Sequence, residues 1–112
     1  MPQYMLLMYH PAEGPPQENM AEQHQQWQQF HQDLKDAGVL VANNGLQGAD
    51  AATTVRVRDG ETQITDGPFA ETKEILAGYF LVDVEDLDTA LAYAARVPNA
   101  TYGSVEVRPL WG

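Results

Sequence analysis

The residues best suited to chemistry are concentrated in one short stretch of the chain. Positions 66–74 read DGPFAETKE, which places acids, a lysine and a hydroxyl beside a glycine-proline pair that predicts a tight turn. In one interpretation Asp66 or Glu71 lines a cleft as an acid or base, and Lys73 adjusts its pKa or grips an anionic group. In the other, Asp66 caps its own turn through a side-chain hydrogen bond, and Lys73 pairs with a nearby carboxylate.

Two histidines form the second candidate group. His24 and His31 lie seven positions apart in a segment that predicts a helix, so they are separated by about 10 Å along its axis. That distance is too long for one metal ion to bind both. Gln28 and Lys35 stand where a second ligand would follow each histidine by four residues, and we therefore predict no metal site and no cofactor.

Arginines and aromatic residues complete the candidate set. Arg56 and Arg58 alternate along one predicted strand and Arg108 lies on the last strand. On one sheet face they would form a grip for a carboxylate or phosphate; otherwise they pair with surplus acids, Glu106 among them. Aromatic residues that would wall a ligand cleft, if they are not simply core, are Tyr9, Trp27, Phe69 and Tyr79.

The elements that must position these residues follow from hydrophobic periodicity and turn chemistry. Asn19, with Glu22 three residues on, predicts a side-chain cap for the first helix, which Gly38 ends; Asp86 caps the second helix. The predicted elements are a strand over 3–9, a helix over 19–38, a strand that begins at 39–41 and fades at 43–45, strands over 53–58, about 63–65 and 76–84, a helix between 86 and 98, and a strand over 104–108.

Apolar residues mark the sides of these elements that we expect to be buried. Asp59-Gly60 predicts a tight hairpin turn, and Gly78 inside a strand predicts a bulge or a close backbone approach. In the central strands the expected buried residues are Val55, Val57, Ile64, Leu76, Phe80 and Val82. On the helices they are Met20, Trp27 and Leu34, with His24, Phe30 and His31 on or beside that stripe, and then Leu87, Leu91 and Ala94 or Ala95.

This order of elements predicts one domain over residues 1–112 with an α+β fold. The pattern is that of a ferredoxin-like βαββαβ sandwich with an added hairpin, in which two helices cover one face of an antiparallel sheet. The other face would keep apolar side chains uncovered. We therefore expect a homodimer, packed sheet to sheet or edge to edge.

Composition restricts the partners. Sixteen acidic and six basic residues give a formal charge of -10, which disfavours nucleic acid and anionic membranes. The chain has no cysteine, so disulfides and thiolate chemistry are excluded. Neither a signal peptide nor a membrane helix is predicted, and the expected location is the cytoplasm.

The string Asp66-Gly67-Pro68-Phe69, followed by Ala70 to Glu74, resembles the DGPF segment of the YCII-related (DGPF-domain) family. The resemblance extends over nearly the whole chain and implies a dimeric α+β barrel-like arrangement. Most of the family lacks an assigned activity. Related proteins include a dehydrochlorinase with a histidine-aspartate pair near the first helix and the following strand, and DGPF-type proteins are often associated with alternative sigma factors.

Two hypotheses follow. The first is a small organic or anionic ligand bound in a cleft near the DGPF segment, with acid-base catalysis as an added step. His24 and Asp66 are its catalytic candidates, with His31 and Glu71 as alternatives. Residues 39–45 contain no Asp or Glu, so the family's carboxylate has no counterpart there. The second hypothesis is a regulatory module that binds a protein partner linked to a sigma factor, since an acidic surface suits a basic protein.

Overall fold

The structure is a computed structural model that describes residues 2–68 and 73–111. These residues form strands and two helices. The elements are β1 (Gln3–Pro11), α1 (Met20–Asp36), β2 (Leu40–Gly45), β3 (Thr53–Arg58), β4 (Glu61–Asp66), β5 (Glu74–Asp83), α2 (Leu87–Ala94) and β6 (Ser104–Pro109). Short 3₁₀ turns cover Ala49–Ala51 and Pro98–Thr101. The predicted α+β class with antiparallel sheets is confirmed.

The main sheet has four strands in the order β2-β5-β1-β6, and every neighbouring pair is antiparallel. Burial along β1 has a period of two residues: Tyr4, Leu6 and Met8 are buried, whereas the residues between them are partly exposed. The sheet therefore has one covered face and one open face, as alternation along a strand requires.

Both helices pack against the covered face. Its core combines strand residues with Phe30 and Leu34 of α1 and with Ala90 and Ala94 of α2. The helical stripes were only partly predicted: Met20 and His24 are exposed, because the buried residues of α1 fall in its C-terminal half. In α2, Leu87 and Leu91 are nearly half exposed, and the small alanines make the close contact.

The helix ends confirm two predicted caps and correct a third. Asp86 Oδ1 accepts hydrogen bonds from the Thr89 backbone N–H (2.9 Å) and hydroxyl (2.8 Å), and this bonding lowers the pKa of the Asp86 carboxyl. Gly38 adopts φ 73° and donates to the Lys35 carbonyl. The prediction for Asn19 was wrong, since it takes the left-handed conformation (φ 55°) and makes no side-chain cap.

The second sheet is the hairpin of β3 and β4, which pair only with each other in sheet structure among the described residues. Asp59 and Gly60 both have positive φ, as the predicted tight turn requires. The prediction that its apolar side is buried was wrong: Val55 and Val57 are each 60% exposed and Ile64 is 69% exposed. The hairpin forms a separate two-stranded sheet, and this side is not part of the core that the described residues form.

Gly78 confirms both predictions made for it. Met8 pairs with Gly78 but Tyr9 pairs with Leu76, so Ala77 is an extra residue in β5 and forms a bulge. A Cβ atom at Gly78 would lie 2.5 Å from the backbone oxygen of Asn44. The close approach of β2 and β5 therefore depends on glycine at this position.

Gly78→Ala is expected to destabilise the fold by about 1–3 kcal/mol, because β2 has to move to accommodate the methyl group. Urea denaturation followed by circular dichroism measures this change. Gly45→Ala is the matched control, since a Cβ there meets no atom within 4 Å. Equal stability of the two variants would contradict the close approach.

The open face carries a polar row near one end of β1. The Tyr9 hydroxyl donates to Glu106 Oε1 (3.1 Å), and Arg108 Nε donates to Glu106 Oε2 (3.1 Å). Partial burial, followed by the hydrogen bond to Glu106 and the charge of that carboxylate, raises the pKa of Tyr9. Because the pKa of Tyr9 is higher in the folded than in the unfolded chain, the neutral phenol contributes to stability. This contribution is fully present at pH values below the pKa of Tyr9 in the unfolded chain, and it is lost as pH rises through the pKa of Tyr9 in the folded protein.

Glu106→Gln is expected to lower the pKa of Tyr9, because the amide removes the negative charge beside the phenol. Ultraviolet absorbance of tyrosinate, titrated in wild type and variant, measures the change, and Tyr9→Phe assigns the signal. Glu85→Gln is the control, since it also removes a carboxylate. Glu85 follows the C-terminal end of β5, whereas Tyr9 pairs with Leu76 near the N-terminal end of that strand. An unchanged Tyr9 titration in Glu106→Gln would contradict this origin of the shift.

Candidate functional site

An open groove lies between α1 and the edge strand β2. The groove has a volume of about 790 Å³ and is open to solvent. Its volume is within the size range of small-molecule sites. Its position follows from the covered face: α1 crosses the sheet, and Asn43 of β2 lies opposite Phe80 of β5 on the side toward that helix. The lining residues are Gln25, Trp27, Gln28, Gln29, His31, Gln32, Asn43 and Phe80.

Stacked aromatic rings connect the groove to the core. The rings of Trp27 and Phe80 are nearly parallel (9°) with centroids 6.4 Å apart. Phe30 meets Phe80 edge to face at 5.1 Å and 89°. Both geometries are favourable aromatic arrangements, and Phe30 and Phe80 are themselves buried. The groove therefore has a wall that the core holds in place.

The polar lining consists of carboxamides and one imidazole. Among residues 2–68 and 73–111, no acidic residue lines this groove, and His31 is the lining residue that can carry a charge. Gln29 and Gln32 donate to Asp33 (2.7 Å) and Asp36 (2.8 Å), one turn along the helix. Each carboxamide both donates and accepts hydrogen bonds. The groove can thus hydrogen-bond a neutral polar ligand from several sides.

A second, smaller groove of about 240 Å³ lies on the other side of Trp27. Its lining combines the proline-rich segment before α1, the first turns of α1 and the 3₁₀ turn after α2. The side chain of Gln23 holds this corner together, since it donates to the carbonyls of Pro16 (2.9 Å) and Glu18 (2.7 Å). Trp27 lines both grooves.

The structure separates the residues that the sequence singled out. His31 lies in the α1–β2 groove, whereas His24 is exposed on α1 and lines neither groove. Asp66 is exposed at the end of β4, beside Gly67, whose N–H donates to the Ala52 carbonyl. Asp66 and Lys73 line neither groove, and the candidates Phe69 and Glu71 lie outside the described residues.

The remaining candidates also fall on different surfaces. Arg56 and Arg58 belong to the β3–β4 hairpin, while Arg108 is on the main sheet and contacts Glu106 at 3.1 Å. An anion grip on a single sheet face was therefore a wrong expectation, because the hairpin is a separate sheet; the pairing of Arg108 with Glu106 is confirmed. Tyr79 lies on the open face, where its hydroxyl accepts a hydrogen bond from Asn44 (2.9 Å).

Sequence reasoning missed Asn43 and the glutamines of the groove. Asn43-Asn44-Gly45 indicated the fading end of a strand, but β2 continues to Gly45 through pairing with β5. The two asparagines then point to opposite faces of the sheet. The sequence signal for Asn43 was its position, since it continues the alternation of side chains between the two faces that the preceding strand residues begin.

Within residues 2–68 and 73–111, no group of three or more His, Asp or Glu side chains is placed to hold a metal ion. In the same ranges no helix combines the length and apolar character needed to cross a membrane.

Comparison with known proteins adds the family. An uncharacterised protein of Rhizobium meliloti (strain 1021) is 49% identical over 77 residues, which cover 67% of this chain and 62% of the relative. The chain thus spans less than two thirds of the length of that curated relative. A family model described as the YCII-related domain matches residues 2–112. The chain therefore belongs to the YCII-related domain family.

Proposed function

We propose that this protein binds a small organic molecule in the α1–β2 groove. The observation that carries the proposal is a groove of about 790 Å³ whose lining combines one imidazole, several carboxamides and an aromatic wall. Apolar walls with a few convergent polar groups are typical of ligand sites. The rings of Trp27 and Phe80 favour a flat ligand, because flat molecules stack on such surfaces.

The lining also selects among ligands. Carboxamides favour ligands that carry carbonyl, hydroxyl or amide groups. An anionic group is favoured only when His31 is protonated, since His31 is the lining residue that can become cationic. A planar organic acid or amide is therefore the ligand class that fits best, and an acid binds more tightly at low pH.

Acid-base catalysis is a secondary part of the proposal. His31 is the group best placed to take or give a proton to a ligand in the groove. Asn43 lines the same groove from β2, and it carries a neutral carboxamide rather than a carboxylate. A neutral amide does not stabilise an imidazolium as a carboxylate does. Binding thus has more support than turnover, and the described residues of the DGPF segment, 66–68, are not among those that line this groove.

A pH-dependent binding screen tests the proposal. The probes are benzoate and benzamide, with Trp111→Phe used so that Trp27 is the remaining tryptophan. We expect benzoate to quench Trp27 and raise the melting temperature more at pH 5.5 than at pH 8, since imidazoles gain charge in that range. Benzamide binding is expected to vary little with pH.

His31→Gln should reduce benzoate affinity at pH 5.5 by about tenfold, the loss of one charge-assisted hydrogen bond. His24→Gln is the matched control, because His24 is on the same helix but outside both grooves. Equal loss in both variants, or the same pH dependence in His31→Gln and wild type, would rule out His31 as the ligand's partner.

The fold and assembly are also proposals. The strand order β2-β5-β1-β6 with both helices on one face supports a ferredoxin-like sandwich. The open face, with Met5, Leu7 and Leu81, supports a homodimer of the dimeric α+β barrel type. The absence of cysteine supports a cytoplasmic location.

A regulatory role is the second candidate. The formal charge of -10 supports a basic protein partner, and a sigma factor-linked protein is the kind that the family resemblance suggests. Co-purification with the product of an adjacent sigma-factor gene, weakened by salt, would favour this role. A salt-insensitive complex would contradict the electrostatic basis.

A further inference from the structure

The smaller groove is lined by groups of two kinds that attract cations. Its lining includes two carboxylates, of Glu18 and Glu22, and two aromatic rings, of Trp27 and Tyr102. A carboxylate attracts a positive charge directly, and the face of an aromatic ring attracts it through the electrons above the ring. Among residues 2–68 and 73–111, no lysine, arginine or histidine lines this groove. The groove therefore favours a positively charged ligand.

The two carboxylates of this groove are not used inside the protein. Within the described part of the chain, the side chains of Glu18 and Glu22 form no hydrogen bond and no ion pair. Gln23 donates to the backbone carbonyl of Glu18 and not to its carboxylate. Glu22 lies in the first turn of α1, where a negative charge favours the helix dipole. That interaction leaves its oxygens able to accept hydrogen bonds from a ligand.

The two rings of this groove are held by the fold. Trp27 stacks on the buried Phe80. Tyr102 follows the 3₁₀ turn of Pro98–Thr101, and its backbone N–H donates to the Asn99 carbonyl at 3.2 Å. Partial burial raises the pKa of Tyr102, so the phenol is neutral and its ring is partly removed from water. A cation against partly desolvated rings is attracted more strongly than one on an exposed ring.

The chain holds one of its own cations with the same kinds of group. The Arg96 guanidinium lies 5.9 Å from the ring centroid of Phe30 and 5.7 Å from that of Tyr93. Asp33 of α1 supplies the carboxylate, at 2.6 Å. Two rings and an acid thus bind a guanidinium between α1 and the segment that follows α2. The smaller groove offers rings and acids between the first turns of α1 and the 3₁₀ turn after α2.

The apolar part of the lining favours an organic cation over a metal ion. Pro16 and Pro98 line the groove together with the two rings, and such surface binds the carbon atoms of a ligand. Among the described residues, no group of three or more His, Asp or Glu side chains is placed to hold a metal ion. The volume of about 240 Å³ is smaller than that of sites for drug-sized ligands. The ligand that fits is therefore small.

We propose that the smaller groove binds a small organic ammonium ion. The charged nitrogen lies at the two carboxylates and against the two aromatic rings, and the alkyl group lies on the prolines. The formal charge of -10 draws cations toward the protein and repels anions. This site is separate from the α1–β2 groove, so the inference goes beyond the function proposed for that groove.

Butylammonium and 1-butanol test the site, because they are matched in size and only the amine is charged at neutral pH. In the Trp111→Phe protein, Trp27 is the remaining tryptophan, and its fluorescence reports binding. We expect butylammonium to change this fluorescence saturably, and 1-butanol to bind about tenfold more weakly because it lacks the charge. No saturable binding of butylammonium, or equal binding of 1-butanol, would overturn the proposal.

Glu18→Gln/Glu22→Gln should weaken butylammonium binding by about tenfold, because the amides keep the shape of the side chains but remove their charge. The matched control is Glu13→Gln/Glu85→Gln, which removes two exposed carboxylates outside the groove. Its effect should be less than about twofold, since salt screens distant exposed charges. An equal loss in both double variants would show that net charge alone attracts the amine, and it would overturn the site.

Two substitutions of Tyr102 test the ring without relying on the glutamate variant. Tyr102→Leu removes the ring and should weaken butylammonium binding by about threefold, whereas Tyr102→Phe keeps the ring and should bind like wild type. Circular dichroism checks that each variant is folded. Equal affinities of the two variants would overturn the contact between the cation and this ring.

Nuclear magnetic resonance locates the bound amine. Tyr102 lines the smaller groove and Phe80 lines the α1–β2 groove, so nuclear Overhauser effects from the butyl protons distinguish the two. Contacts with the Tyr102 ring are expected, and contacts with Phe80 instead would overturn the proposal. Benzoate takes no part in these measurements, so their outcome and that of the α1–β2 groove are independent.

Discussion

The two-residue alternation along β1 is the constraint on which the rest of the molecule depends. Tyr4, Leu6 and Met8 turn one face toward the helices, and the residues between them must then occupy the other face. A register slip of one residue would exchange the two faces completely. The covered face generates the α1–β2 groove, and the open face generates the polar row and the surface proposed for a second copy.

The groove and the open face make different demands on the same sheet. On the covered side, Phe80 supports Trp27 and thus shapes one wall of the α1–β2 groove. On the other side, the neighbouring residue Tyr79 bonds Asn44. β5 therefore contributes alternate side chains to two separate surfaces. Gly78 allows this by letting β2 approach β5 closely at the next position, so the groove on one face depends on backbone packing shared with the other.

Much of the fold could be predicted from local signals. Asp86, Gly38 and Asp59-Gly60 act through hydrogen bonds and φ angles within a few residues, and each took its predicted role. Asn19 failed because Asn is suited both to capping and to the left-handed conformation. The exposure of Val55, Val57 and Ile64 could not be predicted, because alternation shows that a strand has an apolar side but not which surface covers it.

The candidate site was predictable only in part for the same reason. His31 was identified by its helical position, but its separation from Asp66 depends on tertiary placement of the hairpin, which sequence spacing does not encode. Asn43 emerged only from pairing between β2 and β5. Acids near each other in sequence, as in positions 66–74, indicated a site by proximity along the chain, whereas the groove joins one stretch of α1 to Asn43 and Phe80, which are distant from it in sequence.

The position of Trp27 matters when both grooves of the protein are occupied. Its side chain lines both grooves, so the two grooves share one wall, which stacks on Phe80. An occupant that rotates this ring in one groove alters the volume left in the other. By thermodynamic linkage, the effect of the first occupant on the affinity of the second equals the reverse effect. A displacement of this one side chain would thus affect both grooves, with no need for movement of the sheet.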